Sequence, residues 1–202
     1  MENNENFLRP KRGSDFKHDA EHFGKIGEED LKRVLLSSNK TVELIDTSSR
    51  EDFYDYDIDI VQMTEGGHTL DEVLAILRQN SIHKIPFAHT YEAKADTVSV
   101  SSRNIIYEVL SHDNPGCLAK SKAEFIYYAF LDQNDNVVER YLIDLKKWRQ
   151  WIREHCKDCN RSKYLMLSNF DRTHDGVLNF LCNIDKMVED GVAKDVNKLK
   201  NF

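Results

Sequence analysis

The chain has 202 residues, of which 40% are hydrophobic, 10% aromatic and 31% charged. That is about one domain of ordinary globular composition, which excludes collagen-like, low-complexity and wholly disordered chains. A net charge of −7 argues against a nonspecific nucleic-acid coat protein, and no apolar run reaches the roughly 18 residues of a bilayer span.

Residues 1–14 are polar and aperiodic and read as a mobile tail ahead of a single domain, 15–202. The N-terminus lacks the apolar core of a secretory signal, and four cysteines make no dense disulfide framework, so a reduced, cytoplasmic setting is expected. From Ser14, the expected cap, to about Ser38, apolar residues recur at helical spacing, with an interruption expected near Gly24 and Gly27. A short strand is expected over Thr41–Asp46, a polar turn over Thr47–Asp52 and a strand over Tyr54–Gln62, ended by Gly66-Gly67. Leu70–Leu77 reads as a helix capped by Thr69, Phe87–Val100 as a strand centred on Thr90–Ala95, and Asn104–Leu110 as another. Beyond the turn Ser111–Gly116, the pattern predicts a helix over Ala119–Leu131, a strand over Val137–Ile143 and a helix over Leu145–His155. A strand over Tyr164–Leu167 and a helix over about Asp175–Val188 complete an α/β or α+β domain with a mixed sheet.

Charge is unevenly spread. Residues 43–72 carry ten acids and one base, whereas residues 140–163 carry eight bases and three acids. In a strand of period two, Asp57 and Asp59 share one face, and so do Glu92 and Lys94 on the next. If the two strands are neighbours, carboxylates and one ammonium converge, and a hard divalent cation such as magnesium or manganese would relieve the repulsion. The plain alternative is a solvated sheet face with Lys94 as a cross-strand partner, although like charges on adjacent strands destabilise a sheet.

Gly27-Glu28 on a helix, Asp57-Ile58-Asp59 on one strand and Glu92-Ala93-Lys94 on the next resemble the PD-(D/E)XK nucleases, the restriction-endonuclease-like superfamily. The resemblance is to the Holliday-junction-resolvase-like and phage-type branches, whose second strand reads D-I-D or E-I-D before aliphatics. Lys94-Ala95-Asp96-Thr97, Arg103-Asn104-Ile105, Glu108, Pro115-Gly116 and a helix from Lys120 to Phe130 extend it towards a subgroup reading E-x-K-x-D-T … G-N-x-x-x-E … P-G … Y-x-x-Y. The likeness covers roughly residues 20–131. Arg103 stands where that subgroup usually has glycine, and Ile58 replaces the proline of a strict Pro-Asp.

The resemblance implies a restriction-endonuclease-like core, a mixed central sheet flanked by helices. It implies that Asp59 and Glu92, helped by the carbonyl of Ala93, ligate magnesium, with manganese as a substitute. Lys94 would orient or activate the attacking water, and Glu28 would be an outer or second-metal ligand. Asp57 is the rival ligand to Asp59; Asp96, Asn104 and Glu108 are secondary members of the site, and Arg103, Lys120 and Lys122 would contact nucleic acid. The implied reaction is phosphodiester hydrolysis by in-line attack, on DNA in restriction, repair, recombination or phage biology, with a homodimer as a further implication. The alternative is a catalytically inactive nucleic-acid- or protein-binding module on the same fold.

Other motifs carry less. Cys156-x-x-Cys159 lacks a second half, Cys182 and His174 being distant, and helix-end cysteines without a special role are expected. Trp148, Trp151 and Ile152 share a helix face and should be buried, leaving the basic residues around them to solvent or phosphate. His83, His89 and His112 read as ordinary loop histidines.

Overall fold

A computed structural model describes residues 15–79, 84–97, 99–111, 114–156, 165–168 and 178–198. The expected tail, the Ser14 cap, His83, His112, Cys159 and His174 lie outside them. Helix α1 runs unbroken over Asp15–Leu36. Gly27, Leu31 and Leu35 recur every four residues and so share one face. A Cβ on Gly27 would meet the Lys94 backbone at 3.4 Å. The glycine therefore sits where helix and strand pack closely, and that packing outweighs the ~1 kcal/mol helix penalty of glycine.

The chain continues through β1 (Glu43–Asp46), α2 (Glu51–Tyr54), β2 (Ile60–Met63), α3 (Leu70–Arg78) and β3 (Ala88–Asp96). Next come α4 (Ser99–Ser102), β4 (Asn104–Ser111), β5 (Asn114–Pro115), α5 (Cys117–Lys120), β6 (Phe125–Leu131) and β7 (Val137–Asp144). It ends with α6 (Leu145–Cys156), β8 (Leu165–Ser168), β9 (Leu178–Asn183), α7 (Ile184–Glu189), β10 (Ala193–Asp195) and a 3-10 turn, Val196–Lys198. Thr69 caps α3 through a reciprocal capping box with Glu72, as its sequence predicts.

Six strands form a mixed sheet in the order β1-β2-β3-β6-β7-β10, and four more form a second sheet, β5-β4-β9-β8. β1, β2 and β3 pair antiparallel, β3 pairs β6 in parallel, and β6, β7 and β10 are again antiparallel. The architecture is a mixed α/β fold in which a six-stranded sheet packs against helices. On one face Ile60, Tyr91, Ala93, Tyr127 and Ala129 meet Leu31 and Leu35 of α1. The opposite apolar cluster gathers Val61, Met63, Ile126, Tyr128 and Phe130 with residues of α3, α6 and the second sheet. Trp148, Trp151 and Ile152 of α6 are buried there, the fate their spacing predicts. No helix among the described residues is long and apolar enough to cross a membrane.

Three elements differ from the expected ones. Phe125–Leu131 is a central strand, not a helix, and Lys120 ends the short α5 rather than opening a helix. The run FIYYAFL is buried from Ile126 onward on both faces, so it lacks the alternation that marks a one-sided strand. The same holds near the C-terminus, where a helix was expected from about Asp175 but Leu178–Asn183 pairs with β4 and only Ile184–Glu189 is helical. Tyr54–Asp59 is not a strand: α2 ends at Tyr54, and Asp57 adopts a left-handed φ of 53° that aspartate tolerates better than most residues. The period-two reason for placing Asp57 and Asp59 on one face therefore fails, and the two converge by another route.

Candidate active site

The ladder between β2 and β3 ends at the pair Ile60–Tyr91. One residue earlier the Asp59 amide still donates to the Tyr91 carbonyl at 2.9 Å. The next donor on β3, the Ala93 amide, goes instead to a carboxylate oxygen of Asp59 at 2.8 Å. A side chain has taken over from the backbone where the two strands part, and this pins Asp59 beside the E-x-K segment. Glu92 is 3% exposed on a central strand, and the Lys94 ammonium donates to its carboxylate. Tyr91 and Ala93 point into the cluster under α1, so Glu92 and Lys94 take the other side of β3, as alternation requires.

Asp57 enters from the left-handed turn. The buried Ser121 hydroxyl donates to its carbonyl at 3.1 Å, and the neighbouring Lys122 amide donates to Tyr56 at 2.8 Å. One carboxylate oxygen of Asp57, Oδ2, is buried without a hydrogen-bond partner. A buried orphan acceptor is uncommon and costly, and such local strain concentrates at functional sites. Burial raises the Asp57 pKa, opposed by Lys94 and Lys120 and reinforced by Asp59 and Glu108. Burial likewise holds Glu92 well above its ordinary value; Lys94 pulls against this, while Asp59 and Asp57 add to it. From α1, Glu28 is raised by burial and then by Asp59, against a hydrogen bond from Ser48. Thus Glu28, Asp57, Asp59, Glu92, Lys94, Glu108 and Lys120 form one electrostatic neighbourhood. Thr47, Ser48, Tyr54, Asp57, Asp59 and Lys120 are among the residues lining a cleft of about 150 Å³ beside it.

Glu108 is held by close backbone contact. A Cβ on Gly116 would lie 2.5 Å from the Glu108 carbonyl oxygen, so Pro115-Gly116 can pack there only as glycine. The β4–β9 register also shifts between Glu108 and Leu110, a bulge of the kind that re-aims side chains near sites.

The remaining predicted residues have internal partners. Asp96 accepts from the Ser99 amide at 2.7 Å and the Tyr128 hydroxyl at 2.6 Å, and the Asn104 carbonyl accepts from Ser99 Oγ at 2.7 Å. Arg103 donates to both oxygens of Glu139 and of Asp185 and to the Tyr141 hydroxyl, joining the two sheets. Its φ of 55° is the left-handed conformation that glycine favours. Lys122 donates to the Leu77 carbonyl at 2.8 Å. Arg149 of α6 donates to the carbonyls of Leu118 and Ser121 and so braces the Lys120 segment. His89 pairs with Glu124 at 2.6 Å. Cys182 is buried, its thiol pushed up to about 12. Neither Ser48 nor Tyr54 stands out in the sequence as a site residue: Ser48 lies in a polar turn, and Tyr54 opens the alternating run that reads as a strand.

The raised carboxyls set a pH dependence. From about pH 4.5 up to the raised value of Glu92, the folded chain keeps a proton that the unfolded chain has released, so its contribution to stability falls as pH rises. Asp57 and Glu28 act in the same direction. Thermal denaturation in EDTA should therefore show a shallower fall in Tm between about pH 5 and 8 for Glu92→Gln than for the parent. Identical slopes would remove Glu92 as the source.

Among the described residues, no three His, Cys, Asp or Glu side chains are already disposed as a metal site. Comparison of the chain with protein-family models, curated proteins and solved structures found no match.

Proposed function

We propose that this chain is a metal-dependent nuclease of PD-(D/E)XK type, with a restriction-endonuclease-like core, that hydrolyses phosphodiester bonds in DNA. The observation that carries the reading is the carboxylate cluster, in which Asp57 Oδ2 is buried without any partner while Asp59 and Asp57 add to the cost of ionising the buried Glu92. Such a set of hard oxygen donors fits magnesium or manganese. Asp59 and Glu92, with the Ala93 carbonyl, would hold the ion, and Asp57 is the further oxygen donor at the cleft. When bound, magnesium supplies neutralisation of the charge that develops on phosphate oxygens. Lys94 keeps Glu92 partnered and stands where it can orient the attacking water. Glu28 approaches from α1 as an outer acid, and Lys120 offers a cation to phosphate at the cleft.

A second reading is a catalytically inactive binding module on the same fold. It is favoured by the Lys94–Glu92 ion pair, in which the lysine already neutralises the glutamate. Two measurements on the purified full chain separate the readings. The nuclease reading expects cleavage of at least one of linear, nicked, branched or single-stranded DNA with magnesium or manganese and none in EDTA. It also expects calorimetric heat on titration with manganese. An inert protein that binds no manganese would leave the module.

A further inference from the structure

One of the two aromatic rings lining the cleft beside this cluster is not part of the core. Tyr54, the last residue of α2, is 76% exposed, more than any other large hydrophobic side chain described. It lines both the cleft of about 150 Å³ that holds Asp57 and Asp59 and an adjoining one of about 240 Å³ bounded by Ser48, Arg50 and Asp55. A polymer lying across the carboxylates therefore meets Tyr54 on its way out. Lys120 Nζ stands 5.4 Å from the centre of the Tyr54 ring. Among the described residues the Lys120 ammonium makes no hydrogen bond or ion pair, only its backbone amide bonding to Gly116. Its neighbour Lys122, placed the same way over Tyr56 at 4.8 Å, is tied to the Leu77 carbonyl.

We propose that Tyr54 and Lys120 form a subsite for one unpaired nucleotide next to the scissile phosphate, so that the substrate is single-stranded or carries a single-stranded segment. The inference rests on the nuclease reading of the adjoining carboxylates. A base stacks on the open part of the tyrosine ring, and Lys120 takes the phosphate beside it. In a duplex the bases are stacked on one another and cannot use an exposed tyrosine. The adjoining cleft is also lined by Glu51 and Asp55. Such a lining repels the dense charge of a duplex more than the sparser charge of a single strand, and it makes stacking rather than charge the source of affinity.

The test is fluorescence anisotropy with the full chain in EDTA, where no cleavage occurs, using labelled oligothymidine, oligouridine and a blunt DNA duplex. The two single-strand arms distinguish DNA from RNA as the source of the nucleotide. Tyr54→Ala should weaken single-strand binding by about 5- to 150-fold, while Tyr54→Phe retains it and duplex binding is unchanged. Lys120→Ala should weaken it too and lower the salt dependence by about one phosphate contact. An unchanged Tyr54→Ala, or an equal loss on duplex and single strand, would overturn the subsite. A parent that binds single strands through Tyr54 yet cuts nothing with magnesium would instead overturn the nuclease reading. Cleavage that ignores Tyr54 does the reverse.

Discussion

Replacing Asp59 with asparagine is expected, on the proposed nuclease reading, to lower metal-dependent cleavage by about 10³-fold while leaving the fold intact. The magnitude follows from losing several kcal/mol of charge stabilisation at about 1.4 kcal/mol per tenfold. The choice of asparagine matters because Asp59 has two tasks: one oxygen accepts the Ala93 amide at 2.8 Å, and its charge acts on Glu92, Asp57 and Glu28. Alanine would lose both and leave the Ala93 N–H without an acceptor, at a cost of about 1–3 kcal/mol. Asparagine keeps an acceptor and removes only the charge, which also relieves repulsion, so Tm should hold or rise as activity and manganese binding disappear. Asp57→Asn is the companion variant. If it costs more than Asp59→Asn, the unpartnered Oδ2 belongs to the principal ligand; an Asp59→Asn protein cutting within tenfold of the parent would end the role given to Asp59.

The largest stability effect is expected outside the cleft lining, at Asp30. This residue of α1 is 1% exposed, receives a fork of hydrogen bonds from Arg140 at 2.7 and 3.1 Å, and accepts from the buried Tyr127 hydroxyl. Asp30→Ala would remove the acceptor shared by the Arg140 guanidinium and the Tyr127 phenol between α1 and the sheet, leaving Arg140 its bond to Asn197 at 3.1 Å. Removing one member of such a pair costs about 3–5 kcal/mol, or on the order of 10 °C in Tm for a domain of this size. Asp30→Asn, which still accepts from Tyr127, should fall between the two. Urea denaturation followed by the fluorescence of the buried Trp148 and Trp151 reads the effect directly, and a loss below about 1 kcal/mol would show that Arg140 finds another partner. The same helix carries Gly27 and Glu28, so loosening α1 should also disturb the acid it presents to Asp59.

How legible the site was depended on the range of the interactions that build it. Glu92 and Lys94 share a side of β3 because alternation along a strand is a local property, and β2 does neighbour β3. The pairing of Asp57 with Asp59 was reached from the wrong geometry, since a left-handed turn, not a strand, brings Asp57 in. Nothing in YDYDIDI distinguishes the two, because alternating acids suit an edge strand as well as a turn. Among the basic residues, composition could not show which were already engaged. Arg103 finds Asp185 at 82 positions' distance, and Arg149 finds Ser121 at 28.

What the residues alone determine is what neighbours in sequence decide: the Thr69 cap, the buried tryptophan face of α6, the alternation of E-x-K, and the recurrence that lays α1 on a sheet. Tertiary structure decided the rest. A run buried on both faces carries no period, so only pairing with β3 and β7 makes Phe125–Leu131 a strand. A hydrogen bond costs or stabilises according to whether its partner arrives, so only the folded chain leaves Asp57 Oδ2 without one.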